Sequence, residues 1–372
     1  MVKRRAGGGV LKKLSRLSFS SLLITFLSWT LYVLAAHVHS QTSSVVLPSA
    51  KQPLELYANQ LDDNLTNLYL QTIEKAQHSI IVAIYSLTDQ KIIQALHKKS
   101  LNNVSVFIIG DAKACKGVWK YLPNALFIKR IGKGLMHAKI IIVDDTYLLI
   151  GSANFTPSSF NEHGNLVVAL QHPILAAKLT KYIRGMDEEG GLAVEPPHTI
   201  TQAADQHVEL WMLPNTTAVQ RCLKLFRTAK KSIKVAMFTW TRTDFANELI
   251  QAAKRGVKVQ TVIDRYAGKG AGAKVVALLE SAKIPVRMNT GCELLHHKFA
   301  LIDDTILING SANWTDSAFS RNDDGFLIIY PLNSGQKDKM NRLWDLLLVK
   351  SAPPNDPIIK SNTLKPWCHA QD

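Results

Sequence analysis

Cysteine is scarce in this chain, which argues against one common kind of site. The 372 residues include 4 cysteines, and no two of them have the spacing of zinc ligands; they are Cys115, Cys222, Cys292 and Cys368. We therefore expect no cysteine-bound metal. Disulfides would suit an exported protein, but four cysteines allow three complete pairings, and four unpaired thiols fit the sequence equally well.

Charge is missing from residues 17–50, which contain no Lys, Arg, Asp or Glu. Six cations stand just before this apolar stretch, at Lys3, Arg4, Arg5, Lys12, Lys13 and Arg16. A basic segment followed by an apolar one is typical of an export signal or an N-terminal membrane anchor, whereas a buried core helix would not need the cations. We predict such a segment over residues 1–50, and hence a periplasmic, secreted or membrane-associated protein.

Acidic residues are outnumbered, with 29 Asp and Glu against 44 Lys and Arg. The net charge of +15 would attract anionic partners such as lipid headgroups or nucleic acid, although solubility alone explains it equally well. The apolar content of 47% is sufficient for packed cores, which excludes a globally disordered chain.

The body of the chain is a duplication. Residues 79–85 and 104–111 match residues 232–238 and 257–264 at a constant offset of 153. Each copy has the pattern helix, strand, helix, strand and then a strand pair, which predicts an α/β fold with a mainly parallel sheet. The predicted organisation is a first domain at 51–190, a linker at 191–206, a second domain at 207–350 and a proline-containing tail at 351–372.

Each copy carries the same motif of polar residues. A His-x-Lys pair is followed by four residues, an Asp, and then Gly-Ser-x-Asn. The residues are His137, Lys139, Asp144, Ser152 and Asn154 in the first copy, and His296, Lys298, Asp303, Ser311 and Asn313 in the second. Side chains at i and i+2 of a strand share a face, so His and Lys are expected to point together, as are Ser and Asn. Each Asp falls on the other face, at a turn, and is expected to have a structural role within the catalytic motif.

Two such sets can act on one phosphodiester. One neutral histidine attacks phosphorus and forms a phosphohistidine, while the other, protonated, donates to the leaving oxygen and then activates water or an alcohol. The lysine, asparagine and serine side chains supply donors for the phosphate oxygens. Because the ammonium groups supply the positive charge, the sequence predicts neither a metal nor another cofactor.

The paired motif resembles the signature of the phospholipase D superfamily. The resemblance covers residues 53–335, and residues 231–330 are particularly similar to the small bacterial endonucleases of that superfamily. It implies a duplicated α/β/α sandwich, with two halves related by a pseudo-twofold axis and one shared active site, in a monomer. It also implies that His137 is the nucleophile and that an acidic residue after each motif orients a histidine. Glu162 and Asp323 are the candidates, although they do not align with each other.

The resemblance leaves several functions open. Hydrolysis of phospholipid to phosphatidic acid and a headgroup alcohol is the preferred prediction, because the N-terminal segment and the charge suit a membrane surface. A metal-independent endonuclease and a cardiolipin-synthase-like phosphatidyltransferase are the alternatives, and a silent membrane binder is disfavoured because both motifs are intact. Five aromatic residues near the motifs could line a lipid cleft, stack on bases or pack in the core: Phe155, Phe160, Trp240, Trp314 and Phe319.

Overall fold

The computed structural model describes residues 45–189 and 196–361, which belong to one compact unit. Most of the predicted N-terminal segment, residues 1–44, lies outside the described residues. Within the described ranges, no helix combines the length and the apolar character needed to cross a bilayer.

The first half is built on a seven-stranded mixed sheet with the order β1-β7-β6-β5-β2-β3-β4. Its elements are β1 (Leu54–Ala58), α1 (Leu65–Glu74), β2 (Ser79–Ile84), α2 (Gln90–Leu101), β3 (Ser105–Asp111), β4 (Leu126–Arg130), β5 (Lys139–Val143), β6 (Tyr147–Gly151), α3 (Pro157–Asn161), β7 (Leu166–Gln171) and α4 (Pro173–Arg184).

The second half repeats this plan on a nine-stranded sheet with the order β16-β12-β11-β10-β13-β14-β15-β9-β8. Its elements are β8 (His198–Ala203), β9 (Gln206–Met212), α5 (Thr217–Thr228), β10 (Ser232–Met237), α6 (Thr243–Lys254), β11 (Lys258–Ile263), α7 (Arg265–Lys269), α8 (Ala273–Ser281), β12 (Val286–Asn289), β13 (Lys298–Ile302), β14 (Ile306–Gly310), α9 (Asp316–Ser320), β15 (Gly325–Tyr330), α10 (Ser334–Val349), β16 (Ser351–Ala352) and α11 (Pro357–Lys360). The duplicated α/β fold is confirmed.

The expectation of a mainly parallel sheet is wrong. Strands β2, β3 and β4 pair in parallel, as do β10, β11 and β12, because helices or long loops carry the chain back between them. The motif hairpins β5–β6 and β13–β14 and their outer neighbours β7 and β15 pair antiparallel. Each sheet is therefore mixed, and the motif lies on its antiparallel part.

The two sheets share one central hydrophobic core. Ile140 and Val168 of the first sheet belong to the same buried cluster as Phe299 and Leu327 of the second, together with Trp344 of α10. Burying a side chain of this size contributes roughly 1.5–3 kcal/mol to stability. The halves are thus held together by core packing, which fixes the position of one motif relative to the other.

The five aromatic residues near the motifs pack in the core. Phe155, Phe160, Trp240, Trp314 and Phe319 are each 0–3% exposed. Phe155 and Phe160 belong to the outer core cluster of the first half, and the other three belong to that of the second half. The aromatic walls of any cleft must come from other residues.

Two predicted segments between and after the domains are more ordered than the sequence suggested. Residues 198–203, assigned to the linker, form the edge strand β8, which pairs antiparallel with β9. Residues 351–352, at the start of the assigned tail, form β16 on the edge of β12. The domain boundaries themselves stay a prediction.

Candidate active site

Each motif histidine stands two residues before its strand, because β5 begins at Lys139 and β13 at Lys298. The prediction that the strand begins at the histidine is therefore corrected. Backbone hydrogen bonds between the halves hold these loops: His137 N donates to Asp323 O at 2.9 Å, and Gly164 N donates to Leu294 O at 2.9 Å. The histidine of each half is thus fixed by the backbone of the other half.

His137 forms a buried hydrogen bond with a carboxylate of the opposite half. Its Nδ1 lies 2.7 Å from Asp324 Oδ1, and that oxygen also accepts a hydrogen bond from Ser311 Oγ at 2.6 Å. Burial alone would raise the pKa of Asp324, but His137, Lys139 and the Ser311 hydroxyl outweigh it and lower the pKa below its usual value. Asp324 is therefore an anion, and it accepts a hydrogen bond from the protonated Nδ1 of His137, which leaves Nε2 for chemistry.

His296 occupies the equivalent place but is held by an amide. Its Nδ1 lies 3.1 Å from Asn165 Oδ1, which also accepts from Ser152 Oγ at 2.8 Å. Asn165 Nδ2 donates to Ser159 O at 2.7 Å and to His163 O at 3.1 Å. Because both amide hydrogens are used there, Oδ1 is the acceptor and His296 Nδ1 is the donor. His296 thus also has Nε2 available for chemistry, but without a carboxylate behind it.

The side chains predicted to orient the histidines, those of Glu162 and Asp323, are not the ones that bind the histidine Nδ1 atoms. Glu162 is exposed at the end of α3, and Asp323 pairs through its Oδ2 with Arg130 Nε at 2.9 Å. Burial raises the pKa of Asp323 to about 6 although Arg130 opposes that shift. The partners that the sequence analysis missed, Asn165 and Asp324, are the equivalent residues of the two halves when each is counted from the motif glycine. That count is the signal that could have found them.

The motif lysines are buried beneath the histidines. Lys139 is 0% exposed and Lys298 is 2% exposed, and each Nζ donates to the backbone carbonyl of the histidine two residues earlier, at 2.5 and 2.8 Å. Each ammonium also lies over an aromatic ring, 5.3 Å from the Tyr85 centroid and 4.8 Å from the Phe238 centroid.

Tyr85 and Phe238 are the aromatic residues of the site. Both are half-buried and follow equivalent strands, β2 and β10. The Tyr85 ring meets the His137 ring edge-on at 5.3 Å, and the Phe238 ring meets the His296 ring at 5.0 Å. The ring beside His137 therefore carries a phenol hydroxyl, and the ring beside His296 does not. The sequence analysis identified neither ring as part of the site.

The site has an excess of basic groups over anions. Burial lowers the pKa of Lys139 to about 7, although Asp324 and Asp111 oppose the shift. Burial, and then the charge of Lys139, lowers the pKa of Lys298 well below its usual value. Burial also lowers the pKa of both histidines, and that of His296 is further lowered by Lys298, Lys139 and His137. Four basic groups within electrostatic reach of one another create a site that an anionic phosphodiester would stabilise.

The serines and the asparagines of the motif have different roles. The Ser152 and Ser311 hydroxyls are fully buried and bound to Asn165 and Asp324, so they support the histidine partners and do not face the site as predicted phosphate ligands. The Asn154 Oδ1 has no hydrogen-bond partner among the described residues, and Asn313 Oδ1 accepts from Thr239 N at 3.3 Å. Both asparagines are half-buried, and they stay the predicted phosphate donors.

A close backbone contact explains the glycine of the motif. A Cβ atom on Gly151 would lie 2.4 Å from Leu166 O, and one on Gly310 would lie 2.2 Å from Gly325 O. A larger residue would push apart the strands that carry Asn165 and Asp324. The glycine therefore keeps each serine next to the residue that orients a histidine.

Asp144 and Asp303 lie at the opposite end of their strands from the histidines. The Asp144 carboxylate accepts hydrogen bonds from the backbone N–H groups of residues 77–79 at 2.7–2.8 Å, and the Asp303 carboxylate accepts from those of residues 230–232. Both residues also have positive φ, 51° and 53°, as the tight hairpin turn requires. They hold the loop before β2 or β10 and do not reach the reacting groups.

His297 and the described cysteines are not part of the two His–Lys pairs. His297, beside His296, is fully buried and pairs through Nε2 with Gln60 Oε1 at 2.8 Å, so it is a packed residue. Cys115 and Cys222 are free buried thiols, whereas Cys292 is disulfide-bonded. Cys368 lies outside the described residues.

Two His–Lys pairs from duplicated halves, each histidine held by the other half, define a site of the phospholipase D class. The sequence matches the family described as "Cardiolipin synthase, PLD-like domain" over residues 69–186 and 222–344. The chain therefore belongs to the phospholipase D-like family.

Known proteins agree with this assignment. The chain is 29% identical over 143 residues to "Mitochondrial cardiolipin hydrolase" of Chlamydomonas reinhardtii, an alignment that covers 38% of this chain and 63% of that protein. It is 29% identical over 132 residues to "Phospholipase D" of Rickettsia prowazekii (strain Madrid E), covering 36% and 64%. The chain thus spans less than two thirds of the length of these relatives. The phosphatidylserine synthase structure from Haemophilus influenzae Rd KW20 has the same fold, with a TM-score of 0.64, 15% identity and coverage of 83% of this chain and 88% of that one.

Proposed function

We propose that this protein is a phospholipase D-type phosphodiesterase that hydrolyses a phospholipid to phosphatidic acid and a headgroup alcohol. The observation that carries the proposal is the pairing of His137 with the buried Asp324 of the opposite half, where the equivalent His296 pairs through Nδ1 with the neutral Asn165. The names of the relatives, cardiolipin hydrolase and phospholipase D, support a lipid substrate.

The unequal partners assign the two histidines to different steps. Attack by His137 Nε2 on phosphorus forms a P–N bond and breaks the P–O bond to the headgroup, and it leaves a positive charge on the His137 ring. Asp324, 2.7 Å from Nδ1, offsets that charge. A neutral amide could not do so, and His137 is therefore the nucleophile, as the family resemblance implied.

His296 is the general acid and base. Its pKa lies well below the usual value because of burial and the neighbouring lysines and histidine. A bound phosphodiester anion raises that pKa and allows Nε2 to be protonated, and the proton is then readily released to the leaving headgroup oxygen. Neutral His296 next takes a proton from water, which attacks phosphorus, breaks the P–N bond and yields phosphatidic acid and free His137.

The proposed substrate class is tested by comparing lipid and nucleic acid under identical conditions. Vesicles of phosphatidylcholine and cardiolipin with labelled headgroups, and supercoiled plasmid, are incubated with the protein in chelator, with His137→Asn as the control. We expect headgroup release and phosphatidic acid from the wild type alone. Plasmid nicking without lipid turnover would make the protein an endonuclease, and loss of activity in chelator would contradict the metal-independent mechanism.

A second measurement separates hydrolysis from transfer. If an alcohol competes with water for the intermediate, added glycerol or phosphatidylglycerol diverts product from phosphatidic acid to a new phosphodiester. We expect hydrolysis to dominate; dominant transfer would instead support a phosphatidyltransferase.

We also propose that residues 1–50 export or anchor the protein, which the mass of the mature N-terminus tests.

A further inference from the structure

The first sheet ends in an edge strand that is uncovered within the described residues. Strand β4 pairs with β3 and has no strand on its other side, whereas the equivalent strand β12 of the second half is covered by β16. Residues 113–135, which run up to, along and beyond β4, form what we call the edge surface.

The edge surface exposes large apolar side chains. Tyr121 is 61% exposed, Leu126 60%, Ile131 57% and Leu135 41%. In the equivalent segment of the second half, residues 266–294, the sole large apolar residue of comparable exposure is Tyr266, at 40%. All four lie on β4 or on the chain segments at its two ends, and exposed apolar residues concentrated along one sheet edge, unlike single scattered ones, indicate an interaction site.

The same surface is cationic. Lys113, Lys116, Lys120 and Lys133 are exposed, and the chain has no Asp or Glu between Asp111 and Asp144. Lys129 lies with its Nζ 4.2 Å from the Trp119 ring centroid, so its stem packs on the surface while its charge stays near the solvent. The equivalent second-half segment includes the acidic residues Glu280 and Glu293.

Nearby carboxylates reduce this charge only at one end. The exposed Glu188 and Glu189 adjoin the end of β4, where Ile131 N donates to Glu188 O at 2.7 Å. The buried Asp323 is neutralised by Arg130. The lysines at positions 113–120 lie before β4 in the chain, on a segment without any acidic residue.

The edge surface borders the candidate active site. Cys115 Sγ donates to Tyr85 O at 3.3 Å, and Tyr85 packs against His137. At the other end of the surface, Leu135 is two residues from His137. A substrate-bearing surface that docked here would therefore lie at the edge of the reacting centre.

We propose that the edge surface docks on an anionic phospholipid bilayer. Lysines at the headgroup level attract lipid phosphates, and Tyr121, Leu126 and Ile131 enter the region between headgroups and acyl chains. The proposal rests on the proposed lipid substrate, and it explains how a buried pair of histidines reaches a diester at the membrane surface. Docking orients the mouth of the site toward that surface.

A local probe tests docking in the full-length protein. An environment-sensitive dye is attached at Leu126→Cys, with Lys274→Cys in α8 of the second half as the matched control, both in the inactive His137→Asn background. On vesicles of phosphatidylcholine with cardiolipin we expect a blue shift at position 126 and none at position 274. Because the readout is local, membrane binding by any other segment does not imitate the result; equal shifts at both positions would overturn the proposal.

Charge reversal then tests the role of the lysines. Lys116→Glu with Lys120→Glu should lower the equilibrium constant of the docked state at least about fivefold for each lysine, since loss of one positive charge near an anionic membrane costs about a factor of five and the new carboxylate adds repulsion. Lys274→Glu with Lys283→Glu is the control and should have no effect. An unchanged dye shift at position 126 in the Lys116→Glu, Lys120→Glu variant would overturn membrane docking. A dye shift that added duplex DNA abolishes more readily than added lipid would overturn it as well. So would a dye shift that appears without vesicles and depends on protein concentration.

Failure of docking can be distinguished from failure of the proposed function. In the active protein, the Lys116→Glu and Lys120→Glu variant should hydrolyse a soluble phosphodiester such as bis(p-nitrophenyl) phosphate at the wild-type rate, while vesicle turnover falls at least tenfold. Equal losses on both substrates would show damage to the site and contradict docking. If the wild-type protein does not hydrolyse lipid at all, the proposed function is refuted. The dye measurement then decides by itself whether the edge surface docks on the membrane.

Discussion

The two halves of this protein have the same fold but treat their histidines differently. His137 is backed by the buried anion of Asp324, whereas the equivalent His296 is backed by the neutral Asn165. Their walls also differ, since Tyr85 stands where the other half has Phe238. A duplicated unit supplies two similar imidazoles, and single residues outside the motif make one a nucleophile and the other an acid and base.

The largest effect is expected from the histidines themselves. His137→Asn and His296→Asn should each lower lipid turnover by roughly 10³-fold or more, because neither histidine can perform the step of the other. The comparison sharpens with a p-nitrophenyl diester, whose leaving group needs no proton. His296→Asn should then still show a burst of p-nitrophenol and His137→Asn should show none; a burst in the second variant would reverse the roles.

The next largest difference in turnover is expected between substitutions of Asp324 and Asn165, the carboxylate and amide that bind the two histidines. Asp324→Asn should lower turnover roughly 10²-fold, because the charge on the attacking ring loses its counter-ion. Asn165→Asp should change turnover by only a few-fold, while it raises the pKa of His296 and moves the pH profile of turnover upward. Steady-state profiles of both variants test this, and a greater loss from Asn165→Asp would break the assignment.

The buried lysines predict that phosphate binding is coupled to proton uptake. The pKa of Lys139 is lowered to about 7, so part of the population is neutral near neutral pH, and a bound anion would raise that pKa. The affinity for inorganic phosphate or tungstate should therefore fall as the pH rises above about 7. Calorimetry in two buffers of different ionisation enthalpy measures the uptake, and proton release on binding would contradict the lowered pKa.

The same shift affects stability with a defined sign. The folded pKa of Lys139 lies below its unfolded value near 10.4. Between these two pKa values the unfolded chain binds more protons at Lys139 than the folded protein does. The contribution of this lysine to the free energy of unfolding therefore rises with pH across that range. Lys139→Met should flatten the rise measured by denaturant unfolding from pH 7 to 10; an unchanged slope would assign it to other groups.

The smallest effect on chemistry is expected at Asp144 and Asp303. Each holds backbone N–H groups of a loop far from the histidines, so Asp144→Ala and Asp303→Ala should each lower the free energy of unfolding by about 1–3 kcal/mol. Turnover per folded molecule should stay close to that of the wild type. A loss of turnover comparable to that of Asp324→Asn, without loss of stability, would instead give either residue a catalytic role.

Local features of this fold were predictable from the sequence, and contacts between the halves were not. The Asp-Asp-Thr turns, the buried strands and the repeated motif follow from short-range patterns, and the structure has each of them. The partners of His137 and His296 come from the opposite half, 187 and 131 residues away along the chain. Short-range periodicity contains no information on such pairs.

The errors have a common physical origin. The sequence indicates Asp323 as an orienting acid, whereas the adjacent Asp324 has that role. Adjacent residues point in different directions, and the backbone register between the halves decides which one meets His137. The serines were assigned to phosphate because they share parity with the asparagines. Their hydroxyls instead bind Asn165 and Asp324, because the motif glycine lets the neighbouring strand approach so closely that a Cβ atom there would lie 2.4 or 2.2 Å from a backbone carbonyl oxygen.

The most direct test of the shared site is to find which histidine carries the covalent intermediate. Wild-type protein turning over a phosphodiester is quenched in alkaline denaturant, which preserves phosphohistidine, and its peptides are mapped by mass spectrometry. The account predicts the phosphoryl-linked group on His137, with much less of it in the Asp324→Asn variant under the same quench, because formation of the intermediate is slowed. A modification on His296, or turnover without any histidine adduct, would contradict it.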